Sequence, residues 1–248
     1  DLIKKYSKNC STIFHLAAIL GVDIVSDKKV ETIECEFEGI KNVCLSAKFN
    51  KVKKIIYSSS SGVYGKLNYN KNVKEDAVVA PVSAYSIAKR SCEFYLENFY
   101  KENNISCIAV RLFNVYGPRQ DERMVIPRFI TQALANKNIT VYGNGKQTRD
   151  FTYIDDCIKV FDLINKKLSG FHILNSSKGE DFNIFNLARR IKKDLNSNSQ
   201  ITKIIVPKKI EEFQVMKRCG DSSKLFKLIK YKPHTNFSDG IKRTIADL

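Results

Sequence analysis

Between Thr12 and Leu112 the apolar residues change period repeatedly, and this alternation limits the fold more than any other feature of the sequence. Thr12-Ile13-Phe14-His15 reads as a short strand. Residues 30–48 carry apolar side chains at Val30, Ile33, Phe37, Ile40, Val43, Cys44 and Ala47, which is a helical spacing. Residues 52–57 form a β-branched strand that runs into a serine cluster, 84–103 a second long helix, and 105–112 another strand, with Asn114 to Pro118 as the turn after it. Strand and helix alternating through short connections predict an α/β fold built on a doubly wound parallel sheet. Beyond Pro118 the rhythm loosens. A helix is expected over 125–136, a strand over 139–142, and a helix capped by Asp155 that ends near Leu168. A strand over 171–175, a helix capped by Asn183 and a strand over 201–206 follow. Helices near 222–229 and 237–246 close the sequence. The change of pattern predicts one domain over residues 1–118 and a smaller α/β domain over 119–248, some of whose segments return to the first.

Composition narrows the class. The formal net charge is +16, mostly from lysine spread along all 248 residues rather than gathered in a block. A solvated basic surface explains this better than a nucleic-acid site, which would need a clustered basic face. The seven cysteines contain no C-x-x-C pair, so zinc-ribbon and thioredoxin readings fail and no metal site is expected. Their odd number fits reduced thiols in a cytoplasmic protein. The most apolar stretch, from Ile13 to Val25, is interrupted by His15 and Asp23, so no membrane span and no membrane partner are expected.

A triplet of side chains carries the chemistry. Ser60 lies in Tyr57-Ser58-Ser59-Ser60-Ser61-Gly62-Val63-Tyr64-Gly65, past a strand, where an open α/β sheet binds its ligands. Tyr85 and Lys89 are four residues apart on the next helix and share a face. A lysine ammonium near a phenol favours the phenolate, so Tyr85 is expected to be poised for taking a hydroxyl proton. Ser60 can donate to and accept from the same substrate oxygen.

These motifs and others, in this order, resemble the NAD-dependent epimerase/dehydratase family of extended short-chain dehydrogenases. The match runs through His15-Leu16-Ala17-Ala18, the serine cluster with Val63-Tyr64-Gly65, Tyr85 with Lys89, and Arg111 to Arg119. It continues through Val125-Ile126-Pro127-Arg128-Phe129, Thr140 to Gly145, Gln147-Thr148-Arg149-Asp150-Phe151 with Asp155-Asp156, and Asp221-Ser222-Ser223-Lys224. The resemblance implies a Rossmann-like domain that binds NAD, with Leu16, Ala17, Ala18, Ser58, Tyr85 and Lys89 at the cofactor. It implies a nucleotide-sugar substrate, UDP-linked by default, held by Ser60, Asn114, Arg149 and Arg218. Ser60, Tyr85 and Lys89 would be catalytic, and the protein a homodimer through the helices over 30–48 and 84–103. Arg218 has a second reading as a surface cation, Arg111 and Asp150 as members of structural ion pairs, and His15 as a packed residue at a strand end.

Three departures from the family pattern matter. No G-x-x-G-x-x-G occurs, and Gly143-Asn144-Gly145 lies too far downstream to replace it. With the opening at Asp1, this predicts a sequence that starts inside a longer chain, without the βαβ unit that holds the cofactor pyrophosphate and decides NAD against NADP. Relatives also often carry Asn where Glu36 stands. Finally, dehydratases and decarboxylases of the family carry an acid beside the active-site serine or threonine, whereas Ser61 and Gly62 occupy those places. The reaction expected is therefore a redox epimerisation at carbon 4. Dehydration, decarboxylation, and a non-catalytic NAD-fold binding or sensor protein are the alternatives.

Overall fold

The computed structural model describes residues 2–66, 71–211 and 214–247. Asp1, on which the expectation of an internal start partly rests, lies outside them. In chain order the elements are α1 (Leu2–Tyr6), β1 (Thr12–His15), α2 (Val22–Asp27), α3 (Lys29–Phe49) and β2 (Lys54–Ser60). A 3-10 turn (Ser61–Tyr64), α4 (Ala84–Asn103), β3 (Ser106–Leu112), β4 (Asn114–Tyr116), α5 (Val125–Leu134), β5 (Ile139–Tyr142), β6 (Thr148–Tyr153) and α6 (Ile154–Lys167) follow. The chain continues with β7 (Phe171–Ser176), β8 (Asp181–Asn183), α7 (Ile184–Asp194), β9 (Ile201–Ile204), α8 (Lys208–Glu211), β10 (Lys217–Arg218), α9 (Ser223–Ile229) and α10 (Phe237–Ala246).

The main sheet has the order β1-β2-β3-β7 and is parallel throughout. Its strands are covered on both faces, as β-branched and apolar strands of this kind require. On one face α3 and α4 bury Ile40, Val43, Ala47, Cys92 and Leu96 against Ile55, Tyr57 and Ala109. On the other, α6 and α9 bury Val160, Ile164, Leu225 and Ile229 against Ile56, Ile108 and Val110. The fold is thus an α/β doubly wound parallel sheet. A second layer has the order β10-β6-β4, with β8 antiparallel on β6 and β5 paired with β9 beside it. Its core joins Phe129, Ile130, Val141, Phe151, Leu187 and Ile191. Strand β7 and helices α6 and α9 therefore belong to the first layer although they lie beyond Pro118.

Several local expectations change. Residues 114–116 pair with β6 as a strand instead of forming a turn. Residues 148–153 form the central strand of the second layer, which the sequence pattern did not suggest. Helix α6 starts at Ile154 without a side-chain cap, so Asp155 lies inside its first turn and does not cap it; the neighbouring Asp156 accepts N–H groups from His234 and Thr235 and the Tyr231 hydroxyl. On α3 the apolar Val30, Ile33 and Phe37 face outward, while Thr32 and Glu36 are buried. No helix among the described residues is long and apolar enough to cross a membrane. All seven cysteines are free thiols.

Candidate active site

The C-terminal ends of β1, β2 and β3 open into a cleft of about 930 Å³. Leu16, Ala18, Ser58, Ser60, Tyr85, Lys89 and Asn114 all line it, so the fold gathers most of the residues selected from sequence. Ala17 is exposed and is not part of that lining. Arg149 and Arg218 also lie elsewhere, as neighbours in register on β6 and β10.

Ser60 is the last residue of β2 and caps the 3-10 turn by accepting the Gly62 N–H at 3.0 Å. Its hydroxyl neighbours the Tyr85 phenol closely enough to draw that phenol's pKa down. Tyr85 stands in the first turn of α4, whose start is fixed by a capping box. Ser83 Oγ accepts the Ser86 N–H at 3.1 Å, and Ser86 Oγ accepts the Ser83 N–H at 3.0 Å. Lys89, one turn further, is fully buried, with Nζ 5.4 Å from the centre of the Tyr85 ring and 4.7 Å from that of Tyr57.

Lys89 has a partner that corrects the expected electrostatics. Its Nζ lies 3.0 Å from Glu36 Oε2, and both side chains are inaccessible to solvent. Burial pushes the Tyr85 phenol up to about 12; the neighbouring Ser60 hydroxyl opposes this, and the Glu36 charge adds to it. The Tyr85 phenol thus lies above its ordinary value, not below it as expected.

A second buried pair fixes the serine strand. Arg111 Nε and Nη2 bind Glu93 Oε1 and Oε2, each at 2.8 Å, in a bidentate fork. Ser59 donates to the same carboxylate at 2.6 Å. Arg111 Nη1 donates to the Tyr64 hydroxyl at 2.9 Å, and Tyr64 to Asn175 Oδ1 at 2.7 Å. Burial raises the Glu93 carboxyl, but the hydrogen bonds and charge of Arg111 outweigh it and hold Glu93 below its usual range. Arg111 is thus an ion-pair member. Asp150 is not paired with a cation among the described residues. It accepts the N–H groups of Lys178, Gly179 and Gly220, and burial pushes it up to about 6.

The two remaining arginines sit beyond the serine loop. Arg149 donates to the carbonyls of Thr148 at 2.8 Å and Val215 at 2.7 Å, and burial lowers it to about 10. Arg218 Nη2 donates to the Gly65 carbonyl at 2.6 Å. His15 packs at a strand end, its ring 5.5 Å from that of Tyr57; burial, then the charge of Lys89, lower it to about 4.

The sequence profile of the NAD dependent epimerase/dehydratase family matches residues 1–184. The chain belongs to this family. Among curated members, UDP-N-acetyl-alpha-D-glucosaminuronate decarboxylase of Bacillus cytotoxicus is 34% identical over 244 residues, covering 94% of this chain and 75% of the relative. The dTDP-D-glucose 4,6-dehydratase of Dictyostelium discoideum is 34% identical over 185 residues, covering 71% of this chain and 42% of the relative. Among solved structures, the UDP-N-acetylglucosamine 4-epimerase from Methanobrevibacter ruminantium M1, in complex with UDP-N-acetylmuramic acid, superposes with a TM-score of 0.91 at 30% identity. That superposition covers 99% of this chain and 78% of the epimerase.

Glu36 stood out in the sequence only as a departure from the family pattern, without a partner, and Glu93 did not stand out at all. Both interrupt the apolar stripes of their helices, Glu36 in line with Ile40, Val43 and Ala47, and Glu93 beside Cys92 and Leu96. A charge in a core stripe signals a buried partner, and that signal was present in the sequence.

Proposed function

We propose that this family member epimerises a nucleoside diphosphate sugar, UDP-linked, at carbon 4 through a transient keto intermediate. The observation that carries the reading is that Ser60 and Tyr85 stand side by side in the lining of one cleft at the C-terminal edge of the sheet. Both hydroxyls face one space, where a substrate oxygen can meet them together.

The cleft fits NAD. Leu16 and Ala18 supply an apolar wall and Ser58 a hydroxyl. Lys89 Nζ is buried and makes no hydrogen bond of good geometry despite its ion pair, so its N–H groups suit ribose hydroxyls. When bound, NAD supplies hydride uptake and return at the sugar carbon. The chain does the rest. Tyr85, ionised as the site fills, removes the proton from the sugar 4-hydroxyl and returns a proton to the same oxygen once the sugar has turned its other face. Ser60 keeps a hydrogen bond to that oxygen throughout, and Asn114, at the start of β4, contacts the phosphate or nucleotide end. Arg149 and Arg218 hold the diphosphate while the sugar turns. Arg149 suits this role because its half-buried guanidinium donates, among the described residues, to two backbone carbonyls and to no carboxylate, so an anion would meet an unmatched cation.

Epimerisation is favoured over elimination by the residues beside Ser60. Ser61 and Gly62 offer no acid, and a Cβ at Gly62 would stand 3.3 Å from both Ser60 Oγ and Ser86 Cβ. The two carboxylates that line the cleft, Asp121 and Asp162, are ion-paired with Arg123 and Lys166. Likeness to a decarboxylase and a dehydratase supports the second reading, loss of carbon dioxide or water from the same keto sugar. Catalysis itself is tested by Tyr85→Phe. Turnover should fall by at least about a hundredfold while UDP-sugar binding, followed by calorimetry, stays within a few-fold. Equal turnover in both proteins, or loss of binding, would remove Tyr85 from the mechanism.

A further inference from the structure

The Glu36–Lys89 pair has no role in the mechanism above, yet it places a carboxylate directly behind the reacting tyrosine. We propose that Glu36 acts through Lys89: its carboxylate anchors the ammonium against α3 and cancels that ammonium's pull on the Tyr85 phenol. Glu36 is then a positioning residue that sets the pH at which Tyr85 exchanges its proton. This rests on Tyr85 being the acid–base group.

The neighbours leave few other charges for the task. From β1, His15 faces Lys89 and is kept neutral, lowered to about 4 by burial and then by Lys89. From β2, Tyr57 approaches Glu36 Oε2 with its hydroxyl at 3.5 Å and is raised by burial, and Ser60 is uncharged. From α4, the Cys92 thiol donates to the Glu36 carbonyl at 3.6 Å and is pushed up to about 11, chiefly by burial. Glu93 is charged but committed to Arg111, Arg90 and Ser59. Lys89 and Glu36 remain as the charges free to act on Tyr85. They stand 3.0 Å apart in a space without solvent, so each largely cancels the other at the phenol. The pair also restrains Lys89. A buried ammonium with one ionic partner has a defined position, whereas an amide at residue 36 would leave it without a counter-charge.

The test compares wild type with Glu36→Gln and Glu36→Asp. Two readouts are followed: the pH profile of kcat/KM with NAD and the UDP-sugar, and the ionisation of Tyr85 by NMR of 13C-Cζ tyrosine, assigned with Tyr85→Phe. In Glu36→Gln, the acid limb of the profile and the Tyr85 midpoint should both fall by about one to two pH units, the effect of an adjacent unmatched cation. Glu36→Asp keeps the charge and should follow wild type. Glu36→Asn gives the same comparison if the Gln variant does not fold. An unchanged midpoint in the amide variants, or an equal shift in Glu36→Asp, would overturn the proposal. If no protein turns over, the functional reading falls, while the Tyr85 midpoint still decides the role of Glu36.

Discussion

At the scale of single residues, the site is organised by buried charges more than by the triplet that first draws attention. Ser60, Tyr85 and Lys89 are legible because each stands at a fixed offset from a strand end or helix start. Their electrostatics are not legible, since Glu36 and Lys89 are far apart in sequence and meet only where α3 packs on α4. His15 shows how such burial becomes measurable. Its folded value of about 4 lies below the ordinary value of about 6.5, so the unfolded chain binds a proton that the folded chain refuses. Its contribution to stability is complete above about pH 6.5 and is lost as the pH falls towards 4. Urea unfolding should show a loss of roughly 2 kcal/mol between about pH 7 and about pH 5 from this residue. His15→Phe should remove that part of the pH dependence. An unchanged slope in the variant would mean that His15 is hydrated in the native protein.

At the scale of elements, long segments of one period were readable and short polar strands were not. Helices α3 and α4 and strand β3 emerge within a residue or two of their expected ends because each keeps a single apolar period along its length, although the first apolar positions of α3 face outward. Strand β6 escaped because Arg149, Asp150 and Thr152 break the apolar alternation; Arg149 and Asp150 are held there by hydrogen bonds to backbone groups, and Thr152 is buried among apolar neighbours on the strand. The outward side of the α3–α4 pair carries a different message. Val30, Ile33 and Phe37 on α3, with Ile87 and Phe94 on α4, leave large apolar side chains in solvent. We propose that a second copy covers them, in a homodimer through these two helices. Phe94 is 51% exposed, so Phe94→Glu should spare the monomer fold. Light scattering should then report a dimer for wild type and a monomer for the variant; monomers in both would discard this interface.

At the scale of the whole molecule, the sequence carried the layer architecture, because a parallel sheet needs helices on both faces and the helical periods supplied them. The boundary at Arg119 was harder to see. Strand β7 and helices α6 and α9 rejoin the first sheet after the second layer has begun, and strand order is set by contacts distant in sequence. The net charge of +16 is likewise a property of the whole surface, and the fold uses part of it internally, at Lys89, Arg111 and Arg149. What the architecture leaves to chemistry is the fate of the keto sugar, which Ser61 and Gly62 leave without an acid beside Ser60. The direct test is to incubate the protein with NAD and a panel of UDP-hexoses and UDP-uronic acids, and to resolve the products by chromatography with mass detection. Epimerisation requires a product of unchanged mass with inverted carbon 4; a product lighter by water or carbon dioxide would contradict it.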